Sequence, residues 1–238
     1  MTRTPRTPRI FAGLAALVAL TLFSGPLRDH VVAVASRLPT PRPSGAGEPR
    51  FTLSTPIGAV LWSGCATIDV MVNPGRFGAP ADLEVRAAFE EMAEVTGLRF
   101  TFTSTDLVPR TNWALTPGPW SVPPVLVAWV DPNETDLLGA SASGATVANP
   151  AGSGPSRRIV TGAIALDETE YASFSPGTGP GRTRRNLLLH EIGHLLGLDH
   201  VEGAGLMHPV IDDASPDGLH PSEFHALRAA YQRVRSGC

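Results

Sequence analysis

From residue 51 onward, the chain is a series of short apolar runs separated by turn residues. Runs of this length that are rich in β-branched residues and bounded by glycine, proline and polar residues predict strands. The predicted strands cover residues 66–72, 98–103, 125–130 and 159–166. The stretch 139–156 is rich in glycine and serine, so only a weak strand with mobile loops is expected there.

Three other segments repeat their apolar residues at helical spacing. In the first, the apolar residues between 85 and 92 share one face; Asp82 is expected to cap this helix and Gly97 to end it. A second helix is predicted at about residues 183–196 and a third after Pro221. This order of elements predicts an α/β (α+β) fold, in which a mixed twisted sheet is covered on one face by the first two helices.

The first 50 residues differ in composition from the rest of the chain. Arginines precede an apolar run at residues 11–23, which is shorter than the roughly 20 residues that span a bilayer. Residues 1–35 are therefore predicted to be a signal peptide. A signal anchor is the alternative, because the small-x-small pattern at 33–35 lies beyond Pro26 and the polar residues 28–30, which makes a poor cleavage site. Proline and glycine are dense in residues 36–50, which predicts a linker before a single domain at residues 51–238. That domain is expected to be secreted and extracellular, or to lie outside a membrane to which the N-terminal segment tethers it.

Composition and charge narrow the function. With 238 residues, of which 42% are hydrophobic, the chain can form one packed domain, and a monomer is expected. The net charge of −3 and the scattered arginines argue against nucleic acid as a partner. Cys65 and Cys238 are expected to form a disulfide, because an exported chain meets an oxidising compartment; two separate buried thiols are the alternative.

One string of residues points to a specific chemistry. Residues 190–200 read His-Glu-Ile-Gly-His-Leu-Leu-Gly-Leu-Asp-His. On a helix, His190 and His194 lie about 40° apart around the axis and one turn apart along it, so both imidazoles can bind one metal ion. Gly197 can adopt the positive φ of a sharp turn, which brings His200 to the same ion as a third ligand. Three histidines leave the fourth position of a tetrahedral zinc ion open, as in a catalytic zinc site.

Glu191, next to the first of these histidines, predicts the reaction. A zinc ion lowers the pKa of its bound water, and a carboxylate at this position can take the proton while the water attacks a peptide carbonyl. The sequence therefore predicts a zinc-dependent endopeptidase that acts on proteins or peptides. Two alternatives stay open: a noncatalytic zinc-bearing binding module on the cell surface, and a disulfide-stapled inhibitor or toxin scaffold without metal.

The string resembles the zinc-binding motif of the metzincin metallopeptidases. Residues 197–200, together with Leu-Met-His-Pro at 206–209, are most similar to the matrixin branch, which has a matrix metalloproteinase-type catalytic domain. The resemblance implies a zincin-like fold with an active-site helix, a second packing helix and a C-terminal helix. It also implies that Met207 forms a tight turn beneath the metal and provides a soft apolar floor under the imidazoles.

The resemblance extends to a calcium site. Residues 162–171 are similar to the strand and acidic turn in which matrixins hold a structural calcium ion, with Asp167 and Glu170 at the matching positions. Carboxylates and backbone carbonyls suit calcium, but two acidic residues in a turn are equally well explained by solvation. The acidic loop at residues 131–136 is expected to be solvated.

Other features of the matrixins have no counterpart in this chain. Ala165 stands where the family often has a histidine for a second, structural zinc, so no second histidine-bound zinc is expected. No cysteine precedes Cys65, so latency through a pro-segment cysteine is not expected either. Asp199 is expected to orient its neighbours or to cap a turn. The histidines expected to be surface or helix residues outside the ligand set are His208, His220 and His225.

Overall fold

The computed structural model of the chain describes residues 30–35, 45, 47–115, 118, 121–139 and 141–237; of residues 30–35 it describes the backbone only. Among the residues it describes, no helix is both long and apolar enough to cross a membrane. Most of the predicted signal segment, 1–35, lies outside the described residues. Cys65 is disulfide-bonded, and its predicted partner Cys238 is also outside the described residues.

The described residues form eight strands and four α-helices. The strands are β1 (His30–Ala35), β2 (Ser54–Thr55), β3 (Gly58–Ala59), β4 (Thr67–Asn73), β5 (Arg99–Ser104), β6 (Val125–Val130), β7 (Ala142–Ala151) and β8 (Arg158–Asp167). The helices are α1 (Ala79–Thr96), α2 (Glu168–Ser173), α3 (Arg184–Leu195) and α4 (Pro221–Arg235).

Strands β4 to β8 form a five-stranded mixed sheet in the order β7-β8-β6-β4-β5. Strands β5, β4, β6 and β8 are parallel to one another, whereas β7 runs antiparallel to β8. Strand β1 pairs antiparallel with the other edge of β7, which brings the whole sheet to six strands. The predicted mixed α/β fold is confirmed.

Helices α1 and α3 pack on the same face of the sheet, as the sequence predicts. Val85, Phe89 and Met92 of α1 are fully buried in the core cluster that contains the apolar residues of α3. The opposite face carries a second cluster, in which Trp113 and Leu137, from the loops that follow β5 and β6, cover the sheet. Because α3 lies against β7 and β8, its buried groups come close to the edge of the sheet.

Three elements differ from the prediction. Helix α1 begins three residues before Asp82, after Gly78 as N-cap; Asp82 lies in the first turn and forms an ion pair of 2.7 Å with Arg86. The predicted acidic turn after β8 is the short helix α2, because the side chain of Asp167 accepts hydrogen bonds from the first free N–H groups of this helix. The predicted weak strand is the ten-residue strand β7, most of which is buried.

The C-terminal part of the predicted linker is packed on the domain. The N–H of Gly47 donates a hydrogen bond of 2.9 Å to the carbonyl of Glu202, and the carbonyl of Arg50 accepts one of 2.9 Å from the N–H of Asp199. The carbonyl of Gly45 accepts a further bond from Ala204. Residue 45 and residues 47–50 therefore lie along the segment that carries His200, and the packed chain extends to the N-terminal side of residue 51.

Candidate metal centre

Helix α3 places the first two histidines of the motif in the core. Thr183 caps this helix by accepting a hydrogen bond from the N–H of Asn186, and every residue from Asn186 to Leu195 is buried. The apolar stripe of Leu188, Ile192 and Leu195 anchors the helix, as expected from its spacing. The face of the same helix that carries His190, Glu191 and His194 is buried as well, so these three ionisable side chains are surrounded by protein atoms.

A turn at Gly197 brings the third histidine back to the helix. Gly197 has φ +103°, a conformation that residues with a β-carbon rarely adopt. The N–H of Leu198 then donates a hydrogen bond of 2.9 Å to the carbonyl of Gly193, which closes the turn. His200 follows two residues later, and its own N–H is held by the carboxylate of Asp199 at 2.8 Å. Both the positive φ at Gly197 and an orienting contact from Asp199 were expected from the sequence.

The three imidazoles converge on one point. Their Nε2 atoms are 2.9 Å apart for His190 and His194, 3.1 Å for His194 and His200, and 3.2 Å for His190 and His200. The Nδ1 atoms of His190 and His194 face the carbonyls of Leu206 and Leu198 at 2.7 Å and 2.8 Å. A carbonyl can only accept, so each of these Nδ1 atoms carries the proton and each Nε2 presents a lone pair to the centre.

This arrangement fits a zinc ion. A tetrahedral zinc with bonds of about 2.0–2.1 Å to nitrogen holds its ligand nitrogens about 3.3 Å apart, close to the separations found between the three Nε2 atoms. Lone pairs that point at one another repel unless a cation lies between them. Within the described part of the chain, this triad is the one group of three or more histidine, cysteine or acidic side chains close enough together to hold a metal ion.

Burial also sets the charge of the three rings. It lowers the pKa of His194 to about 3 and that of His200 to about 4, and the pKa of His190 falls well below its usual value for the same reason. Neighbouring imidazoles lower these pKa values further. The rings are therefore neutral near pH 7, which is the form that binds a metal ion.

Glu191 projects from α3 towards strand β7. The hydroxyl of Thr146 donates a hydrogen bond of 2.6 Å to Oε2 of Glu191 and lies 3.1 Å from its backbone carbonyl. The carboxyl is fully buried, and its Oε1 has no hydrogen-bond partner among the residues that the structure describes. Burial raises the pKa of Glu191 to about 8, although the bond from Thr146 works in the opposite direction. A dication at the histidine triad would favour the ionised carboxylate.

The turn at Met207 lies against the same helix. Met207 is buried, and a β-carbon on Gly193 would lie 2.7 Å from its sulfur. The carboxylate of Glu223, on α4, accepts hydrogen bonds from the N–H groups of Leu206, Met207 and His220, at 2.8–3.0 Å. This carboxylate ties the turn to the start of α4. Sequence reasoning missed Glu223, although its place three residues after His220 is that of a capping-box acid.

Asn186, one helical turn before the first histidine, holds a second loop. Its Nδ2 lies 2.9–3.1 Å from the carbonyl oxygens of Gly179, Gly181 and Pro216, which share its two N–H donors. Its Oδ1 accepts one of 3.0 Å from the N–H of Gly218. The fully buried amide therefore fixes the segments before α3 and after the Met207 turn to each other. An asparagine on a helix face gives no sequence signal for this role.

The two residues predicted for calcium are engaged with protein groups. Oδ1 of Asp167 accepts hydrogen bonds of 2.8 Å and 3.0 Å from Thr169 and Glu170, and the carboxylate of Glu170 lies 2.9 Å from the guanidinium of Arg182. In the acidic loop at 131–136, the carboxylate of Asp136 is bound to Thr111.

The remaining histidines lie outside the metal-binding triad. His225 is exposed on α4, and His220 caps that helix through its ring. His208 is buried, not at the surface as predicted: its Nδ1 lies 3.2 Å from both the N–H and the carbonyl of Val210. It lies directly after Met207 and therefore belongs to the turn under the triad.

Comparison with known proteins agrees with this geometry. Residues 125–232 match the sequence model of the matrixin peptidase family. The match runs from strand β6 to α4 and includes the three histidines, Glu191 and Met207. A search of curated proteins found no match. This match supports a matrixin-like metzincin domain and, at the level of the family, a zinc metallopeptidase-type function.

Proposed function

We propose that this protein is a zinc-dependent endopeptidase. The observation that carries the proposal is the convergence of three neutral imidazoles, in His190, His194 and His200, beside a buried carboxylate whose Oε1 has no partner in the described part of the chain. A ligand set of three histidines leaves a coordination position open, which is typical of catalytic zinc sites and not of structural ones. The reaction in this proposal is the hydrolysis of internal peptide bonds of a protein or peptide substrate.

The chain's residues have distinct roles in this proposal. The three histidines hold zinc through Nε2, and the carbonyls of Leu206 and Leu198 fix two of the rings in the required tautomer. When bound, zinc supplies a Lewis acid that acidifies water and polarises the peptide carbonyl. Met207 closes the floor of the site, and Gly197 provides the turn that brings the third ligand to the helix.

Glu191 is the general base and acid. Its ionised carboxylate takes a proton from the attacking water, and the same oxygen then gives the proton to the departing amine. Thr146 binds Oε2, and Oε1, which has no hydrogen-bond partner among the described residues, stays available for proton transfer in this proposal. Positioning of this kind places the base for proton transfer without a rearrangement during the reaction.

The proposal includes export. The apolar N-terminal segment and the disulfide-bonded Cys65 favour a secreted enzyme, or one tethered to a membrane with its domain outside. Cys238 is the proposed partner of Cys65, and a monomer is the proposed state. Calcium at Asp167 and Glu170 is not part of this proposal, because Oδ1 of Asp167 already accepts two hydrogen bonds from α2 and Glu170 forms an ion pair with Arg182.

The test compares the full chain with its Glu191→Ala variant on an unstructured protein substrate. The proposal expects new internal N-termini in the products of the wild type, and a loss of kcat of about 10²–10⁴-fold in Glu191→Ala with zinc content unchanged. The matched control is Glu90→Ala, an exposed glutamate on α1, which is expected to cut like the wild type. Equal zinc in all three chains with no cleavage by the wild type would favour a noncatalytic zinc-bearing binding module instead.

A further inference from the structure

The edge of the sheet next to Glu191 is occupied by a segment from the start of the chain. Strand β1 (His30–Ala35) pairs antiparallel with β7 over its whole length. Val32 lies opposite Thr146, and Val34 lies opposite Gly144. These two β7 residues are the ones that contact the Glu191 side chain: Thr146 through its hydroxyl, and Gly144 at a position where a β-carbon would lie 2.5 Å from Oε1. The backbone of β1 therefore runs alongside the residues that hold the carboxylate.

The edge of β7 is a surface that suits an extended peptide. A strand at the edge of a sheet presents a row of backbone N–H and C=O groups, which can pair with any added strand. Strand β8 takes one edge of β7, and β1 takes the other. A peptide cannot form the same backbone hydrogen bonds while β1 is in place.

We propose that His30–Ala35 acts as an internal, strand-like inhibitor: it occupies the β7 edge on which an extended peptide must dock to reach Glu191. This inference rests on the proposed peptidase function, which it deepens by naming a regulation of the same site. A chain that keeps residues 1–35 then hydrolyses peptides more slowly than its site allows, because the edge is free in only a fraction of the molecules; a chain that has lost these residues has a free edge. The segment's composition suits the role, because valine or alanine fills all five positions after His30 and the three valines are β-branched residues that favour strands.

The first experiment tests the pairing without any need for activity. In the full chain, confirmed intact by mass, Ala33→Cys is combined with Ala145→Cys, the residue directly opposite, and oxidation is followed by peptide mapping. Opposed residues have β-carbons about 4.5–5.5 Å apart, within reach of a disulfide after small adjustment, whereas diagonal ones are about 7–8 Å apart. The matched control combines Ala33→Cys with Val147→Cys, which is the diagonal position. The proposal expects a bridge in the first pair and far less in the second. No bridge in either pair, or equal bridging in both, overturns it.

The second experiment measures the inhibition. Val31→Pro/Val32→Pro removes two consecutive N–H groups of β1, one of which faces β7 in any antiparallel ladder, while Val31→Thr/Val32→Thr keeps both N–H groups and the β-branched shape. With an unstructured peptide substrate, kcat/KM of the full-length proline variant is expected to exceed that of the wild type by at least about fivefold, because the competent fraction rises. The threonine variant is expected to match the wild type.

Each outcome of this comparison separates the two proposals. Equal kcat/KM in the wild type, proline and threonine chains, with measurable hydrolysis, overturns the inhibition and leaves the peptidase proposal intact. No hydrolysis by any of the three, at full zinc content, contradicts the peptidase proposal and the inhibition that rests on it. The disulfide experiment still decides in that case whether β1 occupies the β7 edge.

Discussion

The carboxylate of Glu223 accepts a hydrogen bond of 2.8 Å from the backbone N–H of Met207. The same side chain also accepts hydrogen bonds from the backbone N–H groups of Leu206 and His220, and it is fully buried. The carbonyl of Leu206 in turn accepts a hydrogen bond of 2.7 Å from the Nδ1–H group of His190. One carboxylate on the last helix therefore supports the turn that orients a metal-binding histidine.

Substitution of Glu223 is expected to weaken both the fold and the metal site. Glu223→Gln places an NH₂ group where the carboxylate accepts N–H groups, so the free energy of unfolding is expected to fall by about 1–3 kcal/mol. Zinc should also be lost at a lower concentration of a competing chelator, because the Leu206 carbonyl is less well fixed. Urea denaturation and chelator competition check the two effects. Glu90→Gln, at an exposed position on α1, is the matched control. Equal behaviour of the two variants would contradict the role given to Glu223.

The hydroxyl of Thr146 is expected to act on turnover more than on binding. Thr146→Val keeps the shape of the side chain but removes the donor to Oε2 of Glu191, so kcat is expected to fall by about 10–100-fold with little change in KM. Thr146→Ser keeps the hydroxyl and should retain most of the activity. Steady-state kinetics on one peptide substrate separate the two parameters. A serine variant as impaired as the valine variant would mean that packing, and not the hydrogen bond, matters at this position.

The amide of Asn186 is expected to stabilise the loops around the cleft. Asn186→Leu removes the side-chain donor to the carbonyls of Gly179, Gly181 and Pro216, which are buried or partly buried. Each such loss costs about 1–3 kcal/mol, so the free energy of unfolding is expected to fall by at least about 2 kcal/mol. Denaturation curves measure the loss, and amide exchange near residue 218 should become faster. Asn112→Leu, at an exposed site, is the control. If Asn186→Leu loses no more free energy of unfolding than this control, the stabilising role given to the Asn186 amide is refuted.

Calcium is expected to have little effect on stability. The free-energy contribution of Asp167 comes from its helix cap, so Asp167→Ala is expected to cost about 1 kcal/mol with or without calcium. The thermal midpoint of the wild type, measured in calcium and in a calcium-selective chelator, should be the same. A midpoint that rises with calcium in the wild type but not in Glu170→Gln would instead establish a calcium site in this turn.

Local periodicity was enough to predict the metal ligands and most of the fold. The spacing of His190 and His194 on a helix, and the turn at Gly197, involve residues within one short segment, and the structure brings all three histidines together. Strand β6, fully buried, has the predicted bounds because an uninterrupted apolar run has few other conformations in a core.

The groups that the sequence did not predict act over long distances along the chain. Thr146 is 45 residues from Glu191, and Glu223 is 16 residues from Met207, so no local pattern connects them. Strand β7 was underestimated for a related reason. Its small residues looked like those of a loop, but Gly144 is small because α3 packs so closely that a β-carbon there would meet the Glu191 carboxylate. A strand on which a helix packs closely and a mobile loop are both rich in small residues, so composition alone does not distinguish them.

The most direct test of the account is a zinc titration of the metal-free full chain, with bound zinc and peptide hydrolysis measured on the same samples. We expect turnover to be absent without zinc, to rise in proportion to bound zinc and to reach a plateau at about one equivalent, since the described chain offers one three-histidine site. In Glu191→Ala the binding curve should be unchanged while hydrolysis stays near the background. Hydrolysis that persists in the metal-free chain, or that is equal in the wild type and Glu191→Ala, would contradict the account.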